Sequence, residues 1–167
     1  MGLDAVNIIM LKEDLDDLEE IVLPEGYEFK KFEDGDEKIW VELMRDVFPE
    51  SNWTIEKFKE VFASQPQFDP EGLIFIINPQ EYVATGLGWF DEPGNREVGR
   101  VHWVGVREGH RGKGLGKAIV IAVLKYLKRK GAKKAILETQ EYRKVAIRLY
   151  ESLGFKRLED SKGGLKI

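Results

Sequence analysis

The apolar positions of this chain change period several times, and each change marks an element. Residues 73–77, Leu-Ile-Phe-Ile-Ile, are apolar without a break, which suits a strand buried on both faces. Residues 82–90 read as the next strand, where Gly86 and Gly88 point to a bulge or a close backbone approach. The turn 91–95, Asp-Glu-Pro-Gly-Asn, leads into a third strand over 97–106, so the pair is a hairpin. Upstream, 27–32 alternates imperfectly and reads as a first strand. Ile39, Trp40, Leu43, Met44 and Val47 then recur at helical spacing over 36–48, which Pro49 ends. Ile55, Phe58, Val61 and Phe62 do the same over 54–63, with Thr54 or Asn52 as the cap. Downstream the pattern predicts a helix over 114–130 ending at Gly131, a strand over 134–139, a helix over 142–153 and a strand over 155–158. The tail, 161–167, reads as a last short strand. Residues 1–25 read as an acidic N-terminal extension or accessory helix, with apolar residues near helical spacing over 14–23 and a stop at Pro24. Residues 26–167 then form a single domain.

Composition narrows the classes of activity. No apolar run approaches the ~18 residues of a membrane span, and no basic segment followed by a long apolar run opens the chain. With no cysteine there is no disulfide, thiolate nucleophile or cysteine metal site, and two histidines argue against a histidine-rich metal centre. No metal is therefore expected, and a cytoplasmic location is the default. The net charge of −4 hides an asymmetry: residues 1–37 carry thirteen Asp/Glu against three Lys/Arg, and residues 107–148 carry thirteen Lys/Arg against three Asp/Glu. A basic half can attract nucleic acid or a membrane. Here aromatic stacking residues are not interleaved with the charges, and Lys125, Lys128, Arg129 and Lys130 crowd a helix end where cations are favoured. Neither partner is expected.

The chemistry concentrates in Arg111-Gly112-Lys113-Gly114-Leu115-Gly116-Lys117, between the 97–106 strand and the 114–130 helix. Three glycines in five residues bare main-chain N–H groups at a helix N-terminus, where the dipole also favours anions. A strand, a basic glycine turn and a helix make a phosphate cradle. A plain turn needs one residue with positive φ, so three glycines argue for more than a turn. The spacing excludes a Walker A loop, which would need a glycine at Arg111 and a hydroxyl at Ala118. It also excludes the dinucleotide fingerprint, which would need a glycine at Lys117 or Ile119.

The remaining pattern, Arg111-x-x-Gly114-x-Gly116, resembles the coenzyme A signature of the GNAT superfamily of N-acetyltransferases. A second block over 142–155 resembles the family's later helix, Asn-x-x-Ala-x-x-Leu-Tyr, three residues, then Gly-Phe. Ala146, Leu149, Tyr150, Gly154 and Phe155 fall at those offsets, and Arg143 stands where the asparagine is usual. The resemblance covers 98–158. The order strand, two helices, three strands, helix, strand, helix, strand is also that of the GNAT fold, an α/β arrangement with a mixed central sheet and helices on both faces. Within the superfamily, residues 102–106 and 138–150 look like the acetyltransferase half of mycothiol synthase.

The resemblance implies an acetyl-CoA-dependent N-acetyltransferase acting directly on a primary amine of a small molecule or peptide, often as a homodimer. A catalytically weak CoA-binding regulatory module is the alternative; Arg143 points to it, and Tyr150 and His102 argue against it. The implied cofactor residues are Arg111, Gly112, Lys113, Gly114, Leu115, Gly116 and Lys117 around the phosphates. The main chain of Val104, Gly105 and Val106 would hold the pantetheine arm like an added strand, with 135–138 splayed aside and Arg143 and Tyr150 nearby. Tyr150 is the implied acid for the leaving thiolate. His102 is the candidate base, its imidazole titrating near neutrality, and strand alternation puts it on one face with Arg100, Val104 and Val106. Glu138 is the rival base, acting through water. His110 adjoins the cradle and reads as a phosphate neighbour. Trp40, Trp53, Trp89 and Phe90 are candidates for lining an acceptor pocket, and Glu42, Glu50 and Asp91 for attracting an amine.

Overall fold

The computed structural model describes residues 6–158. Its strands are β1 (Asn7–Lys12), β2 (Glu28–Lys31), β3 (Leu73–Ile77), β4 (Tyr82–Trp89), β5 (Val98–Val106), β6 (Lys134–Gln140) and β7 (Lys156–Arg157). Its helices are α1 (Glu37–Val47), α2 (Ile55–Phe58, continued by a π turn over Lys59–Ala63), α3 (Leu115–Arg129) and α4 (Lys144–Ser152). The strands form one sheet in the order β2-β3-β4-β5-β6-β1-β7. Every pairing is antiparallel except β5 with β6.

Each sheet face has its own core. On one, α1 and α2 bury Trp40, Leu43, Phe58 and Phe62 against Phe75 and Leu87. The Thr54 hydroxyl caps α2 by accepting from the Lys57 N–H at 3.0 Å. On the other, α3 and α4 bury Ile119, Val123, Leu127, Ile147 and Tyr150 against Met10, Ala135 and Leu137. The glycines of β4 set the second packing. A β-carbon on Gly86 would sit 2.5 Å from Ile119 Cγ2, and one on Gly88 would sit 2.6 Å from Tyr126 Cδ2. α3 therefore lies closer to β4 than any side chain there allows.

The N-terminal segment departs from the sequence expectation. Residues 7–12 are a strand lodged between β6 and β7, with Asn7 opposite Gln140 and Lys12 opposite Ala135. The helix expected over 14–23 does not form. That stretch runs irregularly along α3, Leu15 buried and Leu18, Ile21 and Leu23 packed on the core. Lys128 Nζ donates to the Asp16 carbonyl at 3.2 Å, and Lys117 pairs with Glu19 at 3.1 Å. Docking of separate apolar side chains and bonds to α3 replace the helical ladder, a tertiary override of weak local propensity. The expected strand over 161–167 lies outside the described residues.

Two irregularities in β5 position the site. β5 pairs with β6 at only three positions, Val98↔Lys134 through Arg100↔Ile136, and the strands then part. Against β4, Thr85 faces Gly105 and Leu87 faces His102, so Trp103 and Val104 together oppose Gly86. Trp103 holds φ +50°, a left-handed conformation that is rare for a bulky residue. This is a β-bulge, which adds one residue and shifts the side-chain alternation by one.

Candidate active site

Where β5 and β6 part, a cleft of about 580 Å³ opens. β5 contributes Val104, Gly105 and Val106; the loop and first turn of α3 contribute Arg111, Gly112, Gly114, Leu115, Gly116 and Lys117. Arg143 and Tyr150 come from α4 and its entry. The structure thus brings together eleven of the twelve residues implied for the cofactor; the exception is Lys113, whose ammonium turns to Tyr27, 3.4 Å from its hydroxyl and 5.8 Å from its ring centre.

The loop's conformation follows from its glycines. Gly112 and Gly114 hold φ of +81° and +80°, whereas Gly116 lies within α3, so two positions rather than three need positive φ. Gly114 is the N-cap and offers no side chain to the first turn. The first N–H groups of a helix have no partner within it, which leaves those of α3 available to an anion. A β-carbon on Gly116 would meet Leu149 Cδ2 at 3.5 Å, an ordinary contact, so packing alone does not demand glycine there. Arg111 ties the loop to the strand by donating from Nε to the Val106 carbonyl at 3.0 Å. His110 lines the cleft with both ring nitrogens engaged, one 2.7 Å from the Tyr27 hydroxyl and one 3.0 Å from the Glu81 carboxylate.

Tyr150 is 8% exposed, and burial pushes its phenol up to about 12, offset in part by the positive charge of Arg143. Arg143 is itself fixed. Its guanidinium lies 4.8 Å from the Phe48 ring centre and 5.2 Å from that of Tyr142, donates to Gln140 Oε1 at 3.3 Å, and pairs with Glu50 at 3.6 Å. It joins the end of α1 to the entry of α4 across the cleft.

The two base candidates lie elsewhere. The bulge at Trp103 puts Val104 and Val106 on the α3 side, while His102 stays with Arg100 on the α1 side, its ring edge-on to Phe62 at 5.8 Å. The expected shared face for His102, Val104 and Val106 is therefore wrong beyond the bulge. Burial, reinforced by Arg100, lowers the His102 imidazole to about 4, and Asp91 only partly opposes this. Glu138 is exposed, the cross-strand partner of Ile9. Arg100 is held by Asp91 through two bonds, Nε to Oδ1 at 2.8 Å and Nη2 to Oδ2 at 2.9 Å. Trp40, Trp53, Trp89 and Phe90 are all buried core residues and do not line this cleft. Glu42 points outward from α1.

Residues 24–155 match the Acetyltransferase (GNAT) family. The chain belongs to the GNAT acetyltransferases. It is similar to the mycothiol acetyltransferase of Thermobispora bispora, 37% identical over 145 residues that cover 81% of this chain and 48% of that protein. A mycothiol acetyltransferase of Thermomonospora curvata is 32% identical over 167 residues, 93% of this chain and 54% of that one. The chain thus spans about half the length of the curated relatives it matches. Among solved structures, a GCN5-related N-acetyltransferase from Sphaerobacter thermophilus superposes with a TM-score of 0.76 at 25% identity, over 92% of this chain and 49% of the other. The cleft lining combines helix-end amides and cations, which suit an anion, with apolar Val106 and Leu149 and the Tyr150 phenol.

Sequence reasoning missed Val47 and Phe48, which close the cleft from the end of α1, and the Arg100–Asp91 pair. The α1 stripe did mark Val47 as inward, but which neighbour it faced depended on the fold. The Arg100–Asp91 contact depends on the hairpin register, which sets Arg100 opposite Trp89.

Proposed function

We propose that this chain transfers an acetyl group from acetyl-CoA directly to a primary amine. The observation that carries the reading is the joining, in one cleft, of the glycine loop at the α3 N-terminus, the free edge of β5 and the buried Tyr150. The loop amides and Arg111 hold phosphate, and the edge of Val104–Val106 that β6 leaves, where the Val106 carbonyl already accepts from Arg111, supplies main-chain groups to the pantetheine arm. The chain carries no cysteine, which agrees with direct attack by the amine.

Tyr150 serves the leaving sulfur. At about 12 its phenol is a weaker acid than a thiol of reference pKa ~8.5, so full proton transfer is uphill by roughly 5 kcal/mol. Its role is to donate a hydrogen bond to charge gathering on sulfur; the guanidinium of Arg143 already keeps the phenol from rising further. Glu138 is the base that best fits. His102 at about 4 is a base roughly 300-fold weaker than an ordinary imidazole, and it is packed among aromatic rings. Glu138 is exposed, and its carboxylate attracts an ammonium and can relay its proton through water.

The test is release of CoA thiol from acetyl-CoA with a panel of primary amines, with product mass measured for each. An amine-dependent burst of thiol with a +42 Da product supports the reading. Acetyl-CoA binding with no transfer to any amine favours a CoA-binding module instead.

A further inference from the structure

A second cavity, of about 440 Å³, opens on the opposite face of the sheet, beside the position where β5 and β6 part. Its floor is apolar, Ile9 from β1, Val98 from β5 and Ile136 from β6, and its wall is the tip of the β4–β5 hairpin with Glu92 and Glu97. The volume falls in the range of small-molecule sites, roughly 300–1,000 Å³. Its place is the telling feature. Ile136 faces Arg100 at the last paired position before the fork, and Ile9 faces Glu138 just past it. Cross-strand partners share a face, so Glu138 lies beside Ile9 on the cavity's side of the sheet, next to the lining rather than part of it.

The charge of the lining is legible. Arg100 also lines the cavity, but Asp91 holds it in a bidentate pair, so its charge is largely matched. Glu92, Glu97 and Glu138 stand outside the ion pairs of the described residues. An apolar floor with carboxylates at both ends suits a short hydrocarbon with a cation at each end.

We propose that this cavity is the acceptor site and that it takes a small aliphatic amine bearing a second cationic centre. The assignment rests on the acetyltransferase reading above. The nitrogen to be acetylated lies at Glu138, the hydrocarbon lies over Ile9 and Ile136, and the second cation lies against Glu92 and Glu97. One ammonium proton passes to Glu138, and the freed nitrogen bonds to the thioester carbonyl carbon. The carbon–sulfur bond breaks to leave a thiolate hydrogen-bonded by the Tyr150 hydroxyl, and the second proton lost from nitrogen reaches that sulfur through water, giving the amide and CoA thiol.

The experiment compares 1,5-diaminopentane with pentylamine as acceptors for the wild-type protein and a Glu92→Gln/Glu97→Gln variant. The expected result is a kcat/KM for the diamine about tenfold above that for the monoamine, since two exposed carboxylates acting together contribute on the order of 1.4 kcal/mol. In the variant the diamine value falls to that of the monoamine, through KM, while the KM for acetyl-CoA stays in place. Equal values for the two amines in the wild type, or a diamine KM unmoved in the variant, would overturn the proposal. So would transfer to peptide N-termini in preference to both. Calorimetric binding of the diamine is measured in parallel. If it binds the wild type and not the variant while no amine is acetylated, the cavity stands and the transfer reading falls.

Discussion

His102 and Val104, two residues apart in one strand, point to opposite faces of the sheet because Trp103 between them holds φ +50°. The same bulge directs Val104 and Val106 into the cofactor cleft and leaves His102 on the side of Arg100. The pairing of β5 with β6 ends one step earlier, at Arg100, beside both the cleft and the cavity on the other face. In the proposed function, donor and acceptor approach this point from opposite sides of one sheet.

Replacing the Tyr150 phenol isolates its part in the reaction. Tyr150→Phe keeps the ring against Phe155 and removes only the hydroxyl. Turnover should fall by roughly ten- to thousandfold, with acetyl-CoA affinity within about threefold of wild type. Turnover equal to wild type would show that the hydroxyl takes no part.

The base assignment rests on a contrast between two variants. Glu138→Gln should lower kcat/KM for the amine by about a hundredfold and flatten the acidic limb of its pH profile. His102→Gln should leave the position of that limb unchanged. If the second variant moves the limb and the first does not, the role belongs to His102.

His102 also gives the fold a pH dependence. Its folded value, about 4, lies below the ordinary unfolded value near 6.5, so the unfolded chain takes up the proton first. Its contribution is complete above pH 6.5 and is lost as pH falls toward 4, by about 3 kcal/mol at the low end. Urea unfolding at pH 7 and pH 4.5 should show less acid destabilisation in His102→Leu than in wild type. Parallel losses in both would contradict the buried neutral imidazole.

The seat of α3 on β4 is testable without activity. Gly86→Ala places a methyl within 2.5 Å of Ile119 Cγ2, and an overfilled contact of this kind costs about 1–3 kcal/mol. The urea midpoint should fall accordingly, and the drop should be smaller in an Ile119→Ala background, which lacks the clashing Cγ2. A midpoint unmoved by Gly86→Ala would mean that α3 is not held there.

Most of this fold was legible because its elements carry strong local signals. The apolar run at Leu73–Ile77 and the stripe ending at Val47 became the elements their patterns predict. The residues of the candidate cleft were legible as a group for the same reason, since Gly114, Gly116 and the 142–155 block form a local code that needs no distant partner. What failed depended on distant partners. Residues 7–12 are a strand only because β6 and β7 offer edges, and 14–23 is not a helix because α3 offers lysines and an apolar groove. The acceptor face was illegible because a single bulged residue, Trp103, shifts the alternation on which the reading of His102 depended.

The most direct test of the whole account is calorimetric titration of the purified chain with acetyl-CoA, with desulfo-CoA and ATP as controls. Micromolar binding of acetyl-CoA, about −8 kcal/mol, with desulfo-CoA also bound and ATP silent is the predicted result. Heat with none of the CoA species would contradict the cleft's assignment and remove the basis for acetyl transfer by this chain.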